Sequence, residues 1–139
     1  MGQTIIPIIA YEDAAAAIDF LTAAFGFTER EGQRYVMEDG TIGHAELELD
    51  GSIVMLATPN REYQSPKRHR RTCEAAERWQ DNPWVIDGVL VLVDDLGAHH
   101  TRAVEAGAEV IRPPEEGPDG PLYTAEDPEG HRWMFGQRQ

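Results

Sequence analysis

One cysteine, Cys73, stands among 139 residues, so no disulfide can form within the chain and stability must come from packing. No apolar run approaches the ~18 residues that a membrane helix needs. Basic residues are scarce: 12 Lys and Arg face 25 Asp and Glu, a formal charge of −13. A nucleic-acid partner is thereby disfavoured, because phosphate neutralisation needs a basic face. Acidic excess keeps a surface soluble and attracts cationic small ligands through its long-range field. The opening Met1-Gly2-Gln3-Thr4 has neither the basic patch nor the apolar core of a secretion signal, and a cytoplasmic location is the expectation.

Within that frame one plan occurs twice. An apolar run from Thr4 to Tyr11 leads to Asp13, a suitable helix cap. Ala14, Ala17, Ile18, Leu21 and Phe25 follow at the spacing of one helical face, and Gly26 supplies the stop. The run Gly88 to Val93 leads likewise to Asp94-Asp95, a helical stretch from Leu96 to Ala106, and Gly107. Strand-like segments succeed each helix. Arg34 to Glu38, His44 to Leu49 and Ser52 to Ala57 follow the first; Glu109 to Arg112, Leu122 to Ala125 and His131 to Phe135 follow the second. Pro113 to Pro121 reads as a loop, and Asp127-Pro128-Glu129-Gly130 as a tight turn.

The expected fold class is therefore α+β: two βαβββ modules forming curved mixed sheets around a groove. The modules span 1–57 and 87–139, and residues 58–86 form a helical insert and linker within one structural domain. Ser65-Pro66 predicts the start of a single inserted helix, with His69, Cys73 and Ala76 on one face. The insert holds Arg61, Lys67, Arg68, Arg70, Arg71 and Arg78, six of the twelve basic residues, which suggests pairing with acidic neighbours.

Certain stretches carry a family likeness. They are Tyr11-Glu12-Asp13 with Ala17-Ile18-Asp19-Phe20 and Phe25-Gly26-Phe27, then Val91-Leu92-Val93-Asp94-Asp95. Ala106-Gly107-Ala108-Glu109-Val110 and Asp127-Pro128-Glu129-Gly130-His131-Arg132-Trp133 complete the set. In this order and spacing they resemble the glyoxalase / bleomycin resistance protein / dioxygenase (vicinal oxygen chelate) superfamily. The resemblance implies paired sheets around a groove, usually completed in a homodimer. In many members a divalent metal sits there, held by His or Gln on a module's first strand and Glu on its last. Carried onto this sequence, those positions are Ile6, Met55, Gly88 and Met134, seven residues before Asp13 and Asp95 and four after Gly51 and Gly130. None offers a hard donor. The expectation is a protein with no metal and no cofactor.

Strand alternation selects groove candidates. If Met55 and Met134 point into the groove, Ile53 and Arg132 do too, while Val54, Leu56, Trp133 and Phe135 face the helices. His44, Glu46 and Glu48 then share one face of their strand. They form either a solvated face, a hold for a cationic ligand, or a metal or acid–base site. The methionines suit a variable apolar ligand, or simply fill space. Leu90 is taken as a further lining residue. Trp84 and Tyr123 are candidate stacking surfaces, each of which could equally belong to the core. His99-His100 diverge too far on a helix to share an ion, and His131 suits a structural hydrogen bond. The leading expectation is a small-molecule-binding protein for an aromatic or cationic ligand, with drug sequestration as one form. Its rivals are a lyase, isomerase or dioxygenase using a relocated metal or acid–base residues His44, Glu46 and Glu48, and an interaction module with a closed groove.

Overall fold

A computed structural model describes residues 2–83 and 86–139, so the Trp84 expectation lies outside the described residues. Strand β1 (Ile8–Ala10) runs into α1 (Ala14–Phe25). Strands β2 (Thr28–Glu29), β3 (Tyr35–Val36), β4 (Ile42–Leu49) and β5 (Ser52–Ala57) follow. Asp13 caps α1 by accepting the Ala16 N–H at 3.0 Å, and Gly26 ends it at φ +86°, a conformation that costs a side chain but not glycine. The first sheet has the order β1-β5-β4-β2, with β3 also on β4; β1 is parallel to β5 and the remaining pairs are antiparallel.

The same arrangement recurs after the insert. Strand β6 (Gly88–Val93) leads to α4 (Leu96–Glu105), capped by Asp95, and then to β7 (Glu109–Gly117), β8 (Gly120–Glu126) and β9 (Arg132–Gln137). Their order is β6-β9-β8-β7, again with the first strand parallel to the last. The repeat legible in the sequence is thus a repeat of topology. Proline did not break β7 as expected: the strand continues through Pro113 and Pro114 with register shifts on either side of Arg112. Its position at the sheet edge explains this, since a missing N–H there leaves no ladder bond unmade.

The insert also departs from expectation. It contains two short helices, α2 (Pro66–Thr72) and α3 (Glu74–Gln80), broken where Cys73 adopts an extended conformation. Ser65 caps α2 by accepting the Arg68 N–H. Short helices need tertiary support. Arg70 supplies it through a bidentate pair with buried Glu126, its two terminal nitrogens 3.0 and 3.1 Å from the carboxylate oxygens.

Both sheets give one side to a single interior. Ala45, Leu47, Val54 and Leu56 from the first join Tyr123, Ala125, Trp133 and Phe135 from the second, around Leu21, Phe25 and Leu96 of the helices. Phe25 meets Trp133 and Phe135 at ring separations of 5.8 and 4.7 Å, so α1 of one module packs on the sheet of the other. The opposite sheet faces are only partly covered. Ile8 is 76% exposed, Leu90 58% and Leu92 47%.

His99 occupies the seam. Its Nε2–H donates to the Phe25 carbonyl at 2.9 Å, and Nδ1 accepts the Tyr123 hydroxyl at 2.7 Å. Burial holds the imidazole below its ordinary pKa, with Arg102 adding to the effect against the Phe25 carbonyl. The folded state therefore favours the neutral ring. That stability is present above the unfolded value of about 6.5 and is lost as pH falls through it toward the folded value. Chemical-denaturation midpoints from about pH 8 down to about pH 5 should show the gap between wild type and His99→Gln narrowing as pH falls; a constant gap would mean that the ring does not titrate on unfolding.

Candidate functional site

Alternation on β4 and β5 puts His44, Glu46, Glu48, Ile53 and Met55 on the outward face of the first sheet. Glu46 lies directly opposite Met55, and Glu48 opposite Ile53. Glu46 is buried, and both its oxygens are engaged: Oε1 accepts from the Arg30 guanidinium at 2.6 Å, and Oε2 lies 2.8 Å from His44 Nε2. The His44 hydrogen bond, then Arg30, holds the Glu46 carboxyl below its usual range. Arg30 reaches this point because its backbone N–H bonds the Glu46 carbonyl at 2.9 Å, just past the end of β2. Sequence reasoning missed Arg30, because strand pairing rather than periodicity brings it there.

The second sheet presents Leu90 opposite Met134, Leu92 opposite Gly136, and Thr124 also opposite Met134. Thr124 escaped the sequence reading. It is buried, and its hydroxyl has no hydrogen-bond partner among the described residues. Tyr123 requires a correction. Antiparallel register places it opposite Phe135, on which it stacks at 5.1 Å, so its ring is fully buried on the helix side and its hydroxyl is spent on His99. Arg132 is outward-facing but committed: Nε bonds Glu126 at 3.3 Å, and both terminal nitrogens donate to the Gln80 and Asn82 carbonyls. It anchors the insert, with Nε and one N–H of each terminal nitrogen so engaged.

A cavity of about 530 Å³ lies where the insert crosses the first strands of the two modules. Tyr63, His69, Trp79, Ile8, Ile86 and Val89 contribute its walls. His69 and Trp79 meet edge to face at 6.0 Å across the break between α2 and α3. The Tyr63 hydroxyl is pushed up to about 12 by burial and by the carboxylates of Glu129, Glu12 and Asp127, so it stays a donor at neutral pH. Of the described sheet-face candidates only Arg132 borders this cavity, because residues 58–86 read as a packing element.

Of the four positions that the resemblance marks for metal ligands, Ile6 precedes β1, Met55 and Met134 lie on last strands, and Gly88 begins β6. A Cβ at Gly88 would stand 2.8 Å from the Arg132 carbonyl oxygen, so this backbone admits no side chain there without shifting. Two thioethers, an alkyl chain and a glycine do not fit a hard divalent cation. The relocated site also requires correction. His44, Glu46 and Glu48 do not form a metal-holding group, and among the described residues no set of three or more His, Cys, Asp or Glu does. The physical reason is that Arg30 and His44 already occupy the Glu46 oxygens.

Comparison with known proteins bears on this geometry. Residues 4–135 match the family described as the Glyoxalase/Bleomycin resistance protein/Dioxygenase superfamily. The chain belongs to that superfamily. An uncharacterised protein of Mycobacterium tuberculosis is 33% identical over 132 residues, 94% of this chain and 72% of the relative. The crystal structure of TioX from Micromonospora sp. ML1 superposes with a TM-score of 0.69 at 30% identity, covering 99% of this chain and 97% of TioX. TnmS3, described as an antibiotic-binding protein from Streptomyces sp. CB03234, superposes at 0.66 with 19% identity over 100% and 98% of the two chains. The superfamily scaffold explains why the first and last strands of each module lie side by side. No helix of the described residues is long and apolar enough to cross a membrane.

Proposed function

We propose that this chain is a metal-free binding protein that holds a small aromatic or cationic molecule against its outward sheet faces, with a second copy of the chain closing the groove. The exposed apolar set on those faces (Ile8, Leu90 and Leu92 beside Met55 and Met134) carries the reading. Contiguous apolar surface on a soluble protein marks a place that something covers. Thioethers suit a ligand of variable shape, because they are flexible and polarisable. The shared fold of TnmS3, an antibiotic-binding protein, supports sequestration of a drug-like molecule, and a cytoplasmic site of action would suit such a role. Acid–base chemistry at His44 and Glu46 is the alternative that the hydrogen-bonded pair favours.

Calorimetric titration with a panel of planar aromatic and cationic antibiotics, alongside sedimentation of the free protein, tests the reading. A dimer and at least one binder are expected. Leu90→Asn with Met134→Asn should weaken the best binder at least about tenfold, since two uncharged amides would have to be desolvated in the groove. A monomer that binds nothing in the panel would defeat the proposal, as would a stoichiometric divalent metal retained through chelator-free purification.

A further inference from the structure

His44 has chemistry that simple burial of an aromatic ligand does not use. Glu46, held ionised, can only accept hydrogen bonds, and Arg30 donates to its Oε1. The contact of Oε2 with His44 Nε2 at 2.8 Å must then be an Nε2–H donation. A neutral imidazole carries one N–H, so Nδ1 is left with its lone pair. No hydrogen bond from the described residues occupies Nδ1, and the ring is two-fifths exposed on the outward face. The arrangement is that of a proton acceptor backed by a fixed carboxylate.

The surroundings define what could deliver the proton. Tyr35 of β3 lies opposite His44, and Glu48 follows beyond Glu46 on the same face of β4. Arg30 approaches from beyond β2, and β5 contributes the uncharged Ile53 and Met55. An apolar bed thus lies within one strand of a basic nitrogen.

We propose that His44 Nδ1 is the proton acceptor for an aromatic ligand bearing an ionisable hydroxyl, a phenol or an enol, whose ring lies on Met55, the β5 residue opposite Glu46. The ligand O–H bond breaks, an Nδ1–H bond forms, and the electron pair stays on the ligand oxygen. The bound species is a phenolate beside an imidazolium, and the imidazolium is in turn held by Glu46. Arg30 keeps the Glu46 carboxylate in place and disfavours its taking the proton.

This inference rests on the outward face being a ligand surface, and its test separates the two. The probe is 4-nitrophenol, buffered below its own ionisation, with total binding from equilibrium dialysis and ionised fraction from phenolate absorbance. Wild type should hold the probe as phenolate. His44→Phe should hold it neutral, and Glu46→Gln should reduce bound phenolate about tenfold at equal occupancy, because the imidazolium loses its charged partner. Nitrogen-15 spectra of the ligand-free protein at a pH where the ring is neutral should show His44 as the Nε2–H tautomer, a preference lost in Glu46→Gln. A probe bound neutral by wild type, or a dominant Nδ1–H tautomer, overturns the proton-acceptor role while leaving the groove reading standing. Failure of 4-nitrophenol alone, where hydroxyl-free aromatics bind, overturns the hydroxyl class. Failure of both removes the groove reading itself.

Discussion

Replacing Asp127 with alanine is expected to lower stability by about 3–5 kcal/mol, read as a fall in the urea midpoint at unchanged slope. Its carboxylate is buried and receives four donors: the Tyr11 hydroxyl at 2.7 Å, Trp133 Nε1 at 3.1 Å, and the backbone N–H groups of Glu129 and His131 at 3.0 and 3.1 Å. Tyr11 directly follows the first strand of the first module, and Trp133 lies on the last strand of the second. Alanine strands both inside the interior, where each unmet donor costs about 1–3 kcal/mol. The loosened turn would also disturb Glu129, whose carboxylate accepts the N–H groups of Glu12 and Asp13 at the start of α1. Asp127→Asn should fall between wild type and alanine, because one oxygen survives while an amide N–H₂ faces donors. A loss below about 1 kcal/mol for alanine would show that water or rearrangement satisfies these groups, against the geometry described.

The second large effect is expected at Glu126. Alanine there should cost about 3–5 kcal/mol, because two guanidinium groups, of Arg70 and buried Arg132, lose their shared carboxylate. Arg70 is partly exposed, so its share is screened and the larger part falls on Arg132. The location of the damage distinguishes this substitution from Asp127→Ala. Arg70 ties α2 to the second sheet, while Arg132 holds the carbonyls of Gln80 and Asn82 just beyond α3. Amide exchange should therefore accelerate in residues 66–80 well before the sheets respond, and proteases should cut there first. Uniform loosening of the whole chain would mean that the insert is docked by something other than this cluster.

Periodicity and capping made both long helices legible, since Asp13 and Asp95 act as the caps their positions suggest and apolar spacing marks the buried stripe. The break at Cys73 was not legible, because Glu74-Ala75-Ala76-Glu77 continues a helical composition and no proline or glycine marks the stop. Continuation of β7 through two prolines depends on being at a sheet edge, which is a property of the assembled sheet. The outward placement of His44, Glu46 and Glu48 followed from alternation along one strand. Tyr123 went astray because its side depends on register against β9, and nothing local to β8 reports that Phe135 is its partner. Arg30 and the cavity beneath the insert were hidden for the same reason: each joins segments that meet only after folding.

The two modules repeat one topology yet surrender their apolar sides to a common interior. A change inside either one is consequently felt by both, whereas the far faces bear weight chiefly where Glu126 and Arg132 dock the insert. Away from that cluster new chemistry could be written at little risk to folding, so a scaffold of this kind can exchange one guest for another while its architecture stays put.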